Sequence, residues 1–405
     1  MNIVIVDDNL TNLMIVEKIL QKAGYQKLVL LSSARELYQY LQLDASGPVE
    51  VPVDLILMDL MMPEIDGIEA CRTILANERF DDLPIIFVTA MGDSYKMAEA
   101  MDAGALDYVM KPINKVELLA RIRSVLRLKQ EKDLRKQRDR RIQFELDLAK
   151  QVQLSMLSEP LQKGDITISA VYKPSFELAG DLYAWYQISP TRYGVILLDM
   201  MGHGISSSLV CMYIYSALKD TITEWCDPVA VMRELNRHMN QLHMPNSLIN
   251  YYFTAIYFVL DTEKRSIEYV NAGHPEGIAI VDDEVLLLTE GCCALGFFED
   301  LNITKGVIPY QQTARILLFT DGLSEWLEEE YEDAIAKLIS SVKGPDMDNA
   351  EVLFQRLQPG PQLVSTPKDD MCLVMISSNH VDGQLSESDS ARGREKGRRS
   401  GTLRG

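Results

Sequence analysis

The sequence predicts an α/β doubly wound, parallel five-stranded domain, then a long helix, then an α+β domain of antiparallel sheets flanked by helices. In the first third of the chain, short apolar runs alternate with helical patterns, which is typical of a parallel sheet covered by helices on both faces. In the second half, apolar runs mostly follow one another directly, which favours antiparallel sheets with helices packed outside. A long stretch without Gly or Pro joins the two parts.

Polar side chains follow the predicted strands of the first domain. These strands are residues 2–6, 28–31, 53–58, 84–88 and 107–110, and helical patterns begin near Leu10, Ser33, Asp66, Ser94 and Asn114. The strand ends deliver Asp7 with Asp8, Asp59, Thr89 and Lys111. Ligands of such sheets bind beyond the carboxyl ends of the strands. Acids, a hydroxyl and a lysine at this edge predict a site for Mg²⁺ and a phosphoryl group. Taken alone, Asp7 and Asp8 could simply cap the helix that follows.

The linking helix is predicted to run from about Asn114 to Leu157, and no Gly or Pro interrupts it before Pro160. Residues 127–141 carry eight Lys or Arg and three Asp or Glu, a pattern typical of a solvated helix with ion pairs four residues apart. A dimerising coiled coil is the alternative, because apolar residues recur at spacings of three and four over two heptads. They are Ile142, Leu146, Ala149, Val152 or Gln153, and Met156.

The second domain is predicted to hold eight strands and two helices. The strands are residues 166–172, 193–198, 252–260, 266–270, 277–281, 285–288, 315–319 and 371–376, and the helices are residues 205–223 and 228–242. We therefore expect a first domain at 1–125, a helical linker at 126–160 and a second domain at 161–378. The remainder, 379–405, is rich in Ser, Gly, Arg and Glu, and we expect it to be disordered.

Composition excludes several classes of protein. The formal charge of −19 argues against a nucleic-acid partner, which needs a basic footprint. The six cysteines show no zinc spacing and are interpreted as reduced thiols of a cytoplasmic protein. No apolar run reaches the roughly 18 residues of a membrane span, and the chain opens on a strand rather than a signal segment.

Four aspartates of the second domain stand at strand or turn edges, and three of them lie within three residues of a glycine. They are Asp181, Asp199, Asp321 and Asp369. An isolated Asp–Gly pair is usually just a turn. Asp199 and Asp321, however, follow fully apolar strands. Burying an unpaired acid there costs free energy, so metal binding is favoured over a simple turn. No cluster of His or Cys offers nitrogen or sulfur ligands, so the metal ligands would be oxygen atoms, which favours Mg²⁺ or Mn²⁺.

The first domain resembles the receiver domain of two-component response regulators over about residues 1–125. The matching residues are Asp7-Asp8, Asp59 to Pro63, Asp66-Gly67, Val88 to Ala90, Gly104-Ala105, Tyr108 and Lys111-Pro112. The resemblance implies that Asp59 accepts a phosphoryl group from a histidine kinase. Asp8 and Asp59 would hold Mg²⁺, with Asp7 in support and the Met61 carbonyl as a further ligand. Thr89 and Lys111 would contact the phosphoryl group. Tyr108 would reorient with it, although an aromatic at a strand end is often only packing.

The second domain resembles PP2C-like serine phosphatases of the SpoIIE/RsbU type, which implies a β-sandwich flanked by helices, from about residue 148 to 378. Besides the four acids, the matching residues are Leu148 to Leu157, Gly202 to Gly204, Asn271 to Pro275 and Ala294 to Gly296. By this resemblance Asp181, Asp199, Asp321 and Asp369, with the Met200 carbonyl, carry two Mn²⁺ or Mg²⁺ ions that activate a water against a phosphoserine or phosphothreonine ester. His203 and His274 are candidate general acids, or local hydrogen-bond formers. Two details depart from the family: Ala179 replaces a glycine, and Met200-Met201 replaces smaller residues.

These resemblances together imply a response regulator whose output is a protein phosphatase. The family's substrate is a phosphorylated STAS-type anti-sigma-factor antagonist in partner switching, which would place the chain in a stress or related programme. We also expect a homodimer formed through the linker helix. The rival interpretation is a non-enzymatic adaptor that has lost its metal ligands, but all four acids are present. A DNA-binding regulator is disfavoured because no helix-turn-helix pattern follows the first domain.

Overall fold

A computed structural model describes residues 1–45, 52–90, 94–242, 251–327, 330–343, 348–358 and 368–379. The chain divides into two compact units, Met1–Gln143 and Phe144–Gly405, and the division falls inside one helix. The tail predicted at 379–405 lies outside the described residues except for Asn379. None of the helices in the described ranges is long and apolar enough to cross a membrane.

The first unit is a doubly wound α/β fold, which confirms the predicted class. Its strands are β1 (Asn2–Val6), β2 (Lys27–Leu31), β3 (Leu55–Asp59), β4 (Ile85–Ala90) and β5 (Asp107–Lys111). Its helices are α1 (Leu10–Lys22), α2 (Ala34–Leu41), α3 (Gly67–Leu75), α4 (Ser94–Asp102) and the start of α5 (Lys115–Met156). The strands pair in parallel in the order β2-β1-β3-β4-β5. One apolar cluster packs α2, α3 and α4 on the sheet and another packs α1 and α5, so the core covers both faces.

Helix α5 is continuous over 42 residues, as predicted. Near its middle, Lys132 and Lys136 both pair with Asp82, which precedes β4. Near its end, Gln153 is buried and exchanges hydrogen bonds with the backbone of Ala179, at 2.8 Å to the carbonyl and 3.1 Å from the amide. Gln153 therefore faces the chain's own second unit and cannot belong to a seam with another molecule.

Besides the end of α5, the second unit contains twelve strands and five helices in its described part. Its strands are β6 (Leu161–Lys163), β7 (Ile166–Lys173), β8 (Asp181–Gln187), β9 (Arg192–Met200), β10 (Phe253–Asp261), β11 (Ser266–Ala272), β12 (Gly277–Val281), β13 (Glu284–Leu288), β14 (Gly291–Cys292), β15 (Gly306–Pro309), β16 (Thr313–Phe319) and β17 (Met371–Asn379). Its helices are α6 (Ile205–Trp225), α7 (Pro228–Gln241), α8 (Asp321–Trp326), α9 (Tyr331–Val342) and α10 (Ala350–Leu357).

Two six-stranded sheets form the predicted β-sandwich. One has the order β14-β11-β10-β9-β8 with β15 added beside β11, and the other has the order β13-β12-β16-β17-β7-β6. A central apolar cluster lies between the sheets. A second cluster packs α6 and α7 on the first sheet, and a third packs α8, α9 and α10 on the other. The result is a helix–sheet–sheet–helix arrangement of four layers, each burying an apolar face against its neighbour.

Candidate functional site

The receiver acids meet at the carboxyl edge of the first sheet, as predicted. Asp7 and Asp8 follow β1, Asp59 ends β3, and their carboxylates form a trio whose ligand atoms all lie within 4.8 Å of one another. Asp8 is exposed, whereas Asp7 and Asp59 are buried. Among the residues that the structure describes, this is the one trio of potential metal ligands at that spacing. Three carboxylates so close repel one another, and a divalent cation relieves that repulsion.

Lys111 joins the acids from the end of β5. Its Nζ donates to Asp7 Oδ2 at 2.8 Å and to Asp59 Oδ2 at 2.9 Å. Burial lowers the pKa of Lys111, but the two carboxylates outweigh burial and hold that pKa above its ordinary value. Burial raises the pKa of Asp59, and Lys111 offsets part of the rise. The lysine therefore keeps a buried acid closer to its ionised form, which is the form that can attack phosphorus.

The remaining receiver residues surround this trio less directly. Thr89, on β4, is buried and its Oγ1 donates to the Ala90 carbonyl at 3.2 Å. Tyr108, on β5, is half-buried, packs against the apolar cluster of α2 to α4, and lies under the Arg121 guanidinium at 5.6 Å from the ring centroid. The Met61 side chain is exposed, so only its backbone carbonyl remains relevant to the metal site. The switch roles of Thr89 and Tyr108 therefore remain predictions.

In the second unit, Asp181 and Asp199 are brought together by strand register. Asp181 begins β8, Asp199 lies one residue before the end of β9, and the two are direct partners across the antiparallel ladder. Asp181 is buried and Asp199 is half-buried. Partners in a ladder project to the same face of the sheet, so the two carboxylates occupy one place.

Asp321 and Asp369 reach this place from the other sheet. Asp321 follows β16 as the first residue of α8, and Asp369 lies just before β17, the neighbour of β16. The four predicted acids thus come in two pairs, one from each sheet of the sandwich. The Met200 carbonyl belongs to β9, next to Asp199.

Electrostatics show that the two pairs share one field. Burial and then repulsion by Asp321 raise the pKa of Asp199 to about 7, with Asp369 and Asp370 adding to the effect. The pKa of Asp181 is raised by burial and then by Asp199 and Asp370. The Asp321 side chain reaches solvent, yet its pKa is also raised, first by partial burial of the carboxylate and then by repulsion from Asp369. A cation bound here would offset the repulsion that raises the pKa values of Asp181, Asp199 and Asp321 and would favour their carboxylate forms.

Asp370 is a buried acid of this site that the sequence did not single out. One oxygen accepts from the Ser175 amide and hydroxyl, both at 2.8 Å, and the other accepts from the Gly180 amide at 2.7 Å. Asp369 and Asp370 therefore divide two tasks, because Asp369 faces the acid cluster while Asp370 fixes the loop that leads to Asp181. The adjacent pair of acids in the sequence was the signal that could have revealed it.

Two glycines allow the acid-bearing segments to approach. A Cβ added at Gly322 would lie 2.1 Å from the Asp370 carbonyl oxygen, and one added at Gly180 would lie 2.9 Å from the Gly202 carbonyl oxygen. Both distances are too short for a side chain, so glycine is required next to Asp321 and Asp181.

The two histidines differ sharply in environment. The His203 ring is exposed and stacks on Phe176 with centroids 4.6 Å apart. His274 is buried, its Nδ1 lies 2.9 Å from Thr254 Oγ1, and its amide donates to Asn271 Oδ1 at 2.8 Å. Burial lowers the pKa of His274 to about 3, so at neutral pH its ring is not the imidazolium that an efficient general acid requires. His274 therefore fits the local hydrogen-bonding role, and only His203 remains a candidate acid.

A divalent cation fits the acids of the second unit. Asp181 Oδ2 is buried and lacks a hydrogen-bond partner among the described residues, so it is free to bind a cation. The donor set is all oxygen, which Mg²⁺ and Mn²⁺ prefer. No three of these four acids fall within the tight spacing of the receiver trio. Ligands shared between two ions about 3.5–4 Å apart do not need that spacing.

Comparison with known proteins matches both halves of the chain to families. Residues 3–123 match the response regulator receiver domain, and residues 189–379 match stage II sporulation protein E (SpoIIE). Asp181 lies just ahead of the second matched region. The chain therefore combines an N-terminal receiver domain with a C-terminal, PP2C-like phosphatase domain of the SpoIIE class.

The similar proteins include a phosphatase and a response regulator. The phosphoserine phosphatase RsbP of Bacillus subtilis is 36% identical over 233 residues, which is 57% of this chain and 57% of that protein. The response regulator ArlR of Staphylococcus saprophyticus is 49% identical over 81 residues, 20% of this chain and 36% of that protein. The chain thus spans about half of the first relative and a third of the second. The solved SiaA PP2C domain of Pseudomonas aeruginosa is 19% identical, with a TM-score of 0.49 over 60% of this chain and 98% of that domain.

Proposed function

We propose that this chain is a metal-dependent protein serine/threonine phosphatase whose activity is controlled by phosphorylation of Asp59. The observation that carries the proposal is the group of four acids that two sheets bring into one electrostatic field, with a buried unpaired oxygen on Asp181. Such an arrangement is costly for an apo protein and suits a pair of divalent cations. The proposed substrate is a phosphorylated STAS-type anti-sigma-factor antagonist, which would be dephosphorylated in a partner-switching pathway.

The protein's own residues prepare the chemistry. Asp181, Asp199, Asp321 and Asp369 would hold two Mn²⁺ or Mg²⁺ ions, with the Met200 carbonyl as a further ligand. Bound there, the ions supply an activated water and offset the charge that develops on the phosphoryl oxygens. Asp370 holds the loop before Asp181 in place, and the register of β8 and β9 fixes Asp181 against Asp199. The exposed His203 stands one residue beyond Gly202, where it could donate a proton to the leaving serine oxygen.

The decisive experiment is a phosphatase assay on the full chain with a STAS-domain protein phosphorylated on serine. Mn²⁺, Mg²⁺ and a chelator should be compared, each with and without beryllofluoride as a phosphoryl mimic at Asp59. We expect metal-dependent release of phosphate and a rate that changes with the mimic. Binding of the phosphoprotein without any turnover in the presence of metal would instead favour the non-enzymatic adaptor.

Regulation would pass through α5, which we propose also mediates self-association. On its last four turns, Phe144, Leu148 and Val152 are exposed and spaced four residues apart, so they form one apolar stripe. This stripe is exposed to solvent, whereas Leu146 and Ala149, which share the face of the buried Gln153, are half-buried. The dimer seam should therefore be this stripe rather than the predicted series through Leu146 and Ala149.

Replacing Leu148 and Val152 by Asp should weaken the dimer by more than about 100-fold, because an interface would lose several apolar side chains worth about 1.5–3 kcal/mol each. Sedimentation velocity over a concentration series measures the change. We also expect the phosphatase rate of this variant to stop responding to beryllofluoride. The matched control is Leu154→Asp, which alters an equally exposed leucine on a different face of α5. If the double variant sediments and responds like the wild type, α5 is only a tether.

Asp370→Asn should reduce kcat by about 10- to 100-fold with little change in KM, a size typical of residues that orient metal ligands. An amide of the same shape cannot accept from Ser175 and Gly180 at once, so the Asp181 loop loses one anchor. Measured Mn²⁺ affinity should fall with kcat, a change that a purely structural role would not produce. The control is Asp348→Asn, whose carboxylate pairs with Arg315 away from the acids. Wild-type kcat and metal affinity in Asp370→Asn would remove Asp370 from this role.

A further inference from the structure

We propose that Tyr252, Phe297 and Phe298, here called the aromatic patch, dock the phosphoprotein substrate beside the metal acids; this proposal rests on the phosphatase function given above. The occupant would be a folded protein whose phosphoserine is bordered by apolar side chains. Such a surface would determine which phosphoproteins are hydrolysed, without taking part in the chemistry.

The aromatic patch is exposed and contiguous. Phe297 and Phe298 are each 58% exposed. The centroids of the Tyr252 and Phe297 rings are 4.7 Å apart, and those of Phe297 and Phe298 are 5.7 Å apart. Exposed aromatic side chains in contact with one another are unusual on a protein surface and commonly mark a binding site for another molecule.

The patch borders the candidate active site. The Met201 amide donates to the Tyr252 carbonyl at 3.0 Å, and Met201 is two residues beyond Asp199. The next residue, Phe253, pairs with Met200 in the ladder between β9 and β10. A protein that presents a phosphoserine to the acids would therefore meet the aromatic rings with the surface next to that serine.

The loop that carries the two phenylalanines is held rigidly. Asn236, buried on α7, donates to the carbonyls of Phe298 at 2.9 Å and Glu299 at 3.0 Å, and it accepts from the Gly296 amide at 2.8 Å. Asn240 adds a bond to the Phe298 carbonyl at 3.1 Å. Four hydrogen bonds thus fix the backbone while the rings point outward. Rings that are already ordered lose less entropy on binding, so this arrangement favours recognition over a passive surface loop.

Charge explains why an apolar surface is needed for this partner. The chain carries a formal net charge of −19, and a phosphoserine adds about −1.5 to −2 to the partner at neutral pH. Away from the metal ions, this net negative charge repels the phosphate rather than attracting it. Apolar contact is a source of binding energy that this charge does not oppose, and buried aromatic side chains supply it efficiently.

The test uses the full chain with Mn²⁺ and two substrates, para-nitrophenyl phosphate and a STAS-domain protein phosphorylated on serine. Phe297→Ala combined with Phe298→Ala should leave kcat/KM for the aryl phosphate within about 2-fold of wild type. It should lower kcat/KM for the phosphoprotein by about 10- to 100-fold, chiefly through KM, as expected when two aromatic anchors are removed. Trp225→Ala, which removes another exposed aromatic side chain at the end of α6, should leave both substrates unaffected.

Three results would overturn the proposal: unchanged kinetics on the phosphoprotein, an equal loss on both substrates, or a loss of self-association by the double variant in sedimentation. The last result would assign the patch to an interface between copies of this chain. If the wild type hydrolyses neither substrate, the phosphatase function fails separately. Calorimetric titration with the phosphoprotein then tests docking independently of catalysis. Weaker binding by the double variant than by the wild type supports docking at the aromatic patch, and equal binding overturns it.

Discussion

Asp199→Ala and Asp321→Ala should each reduce phosphatase activity by at least about 1,000-fold while leaving the fold intact. Asp199 lies on β9 of one sheet, and Asp321 follows β16 of the other sheet and raises the pKa of Asp199, so each would contribute a separate ligand to the shared site. Loss of either would remove about 4 kcal/mol or more of transition-state stabilisation, since the metal ions both activate water and offset phosphoryl charge.

The measurement is turnover of the phosphorylated STAS-domain protein under saturating Mn²⁺, with circular dichroism to monitor the fold. Metal binding should be titrated at pH 8, where Asp199, whose pKa is raised to about 7 without metal, is ionised and does not hold a competing proton. Glu325→Gln is the control, because Glu325 also raises the pKa of Asp321 but lies one helical turn further along α8. Turnover near the wild-type rate by either Ala variant would contradict the assignment of the metal site.

Much of the fold could be predicted because its strands and helices carry simple patterns. The receiver strands are mostly apolar runs, and the helices after β1, β2 and β3 are preceded by the capping residues Asn9, Ser33 and Asp66. In the second unit, β8 was missed although it begins with a proposed ligand. Its residues are apolar on both faces, with Tyr183 and Trp185 between the sheets and Leu182 and Ala184 under the helices, so no alternation marks it as a strand.

The site could be predicted only as far as residue type and position along the chain allow. A sequence shows that an acid follows an apolar strand, but it does not show the register that places Asp181 opposite Asp199. Asp370 was missed because its role depends on bonds to Ser175 and Gly180, about 190 residues earlier in the chain. The seam proposed on α5 differs from the series that the sequence predicts for the same reason, since the contact of Gln153 with Ala179 is tertiary.

Asp59→Ala should abolish phosphorylation of the chain by a small phosphodonor such as acetyl phosphate in the presence of Mg²⁺. Asp7 and Asp59 are both buried and both contact Lys111, but Asp59, at the end of β3, is the acid at the position where the receiver resemblance places the phosphoryl acceptor. Mass spectrometry of the intact protein, followed by mapping of the acyl phosphate, makes the measurement. Asp44→Ala, which removes an exposed acid, should be phosphorylated like the wild type.

Lys111→Gln tests two functions of this lysine, which are to lower the pKa of Asp59 and to contact the phosphoryl group. Burial raises the pKa of Asp59 and Lys111 offsets part of that rise, so removal of the cation should raise the pKa further. Since only the carboxylate attacks phosphorus, each unit of pKa above the working pH lowers the reactive fraction about 10-fold. Phosphorylation by acetyl phosphate should therefore be slower than in the wild type, and the deficit should be larger at pH 6 than at pH 8. A rate defect of equal size at both pH values would show that Lys111 acts on the phosphoryl group alone. In the separate mapping experiment on the wild type, an acyl phosphate found on another aspartate would remove Asp59 from its role.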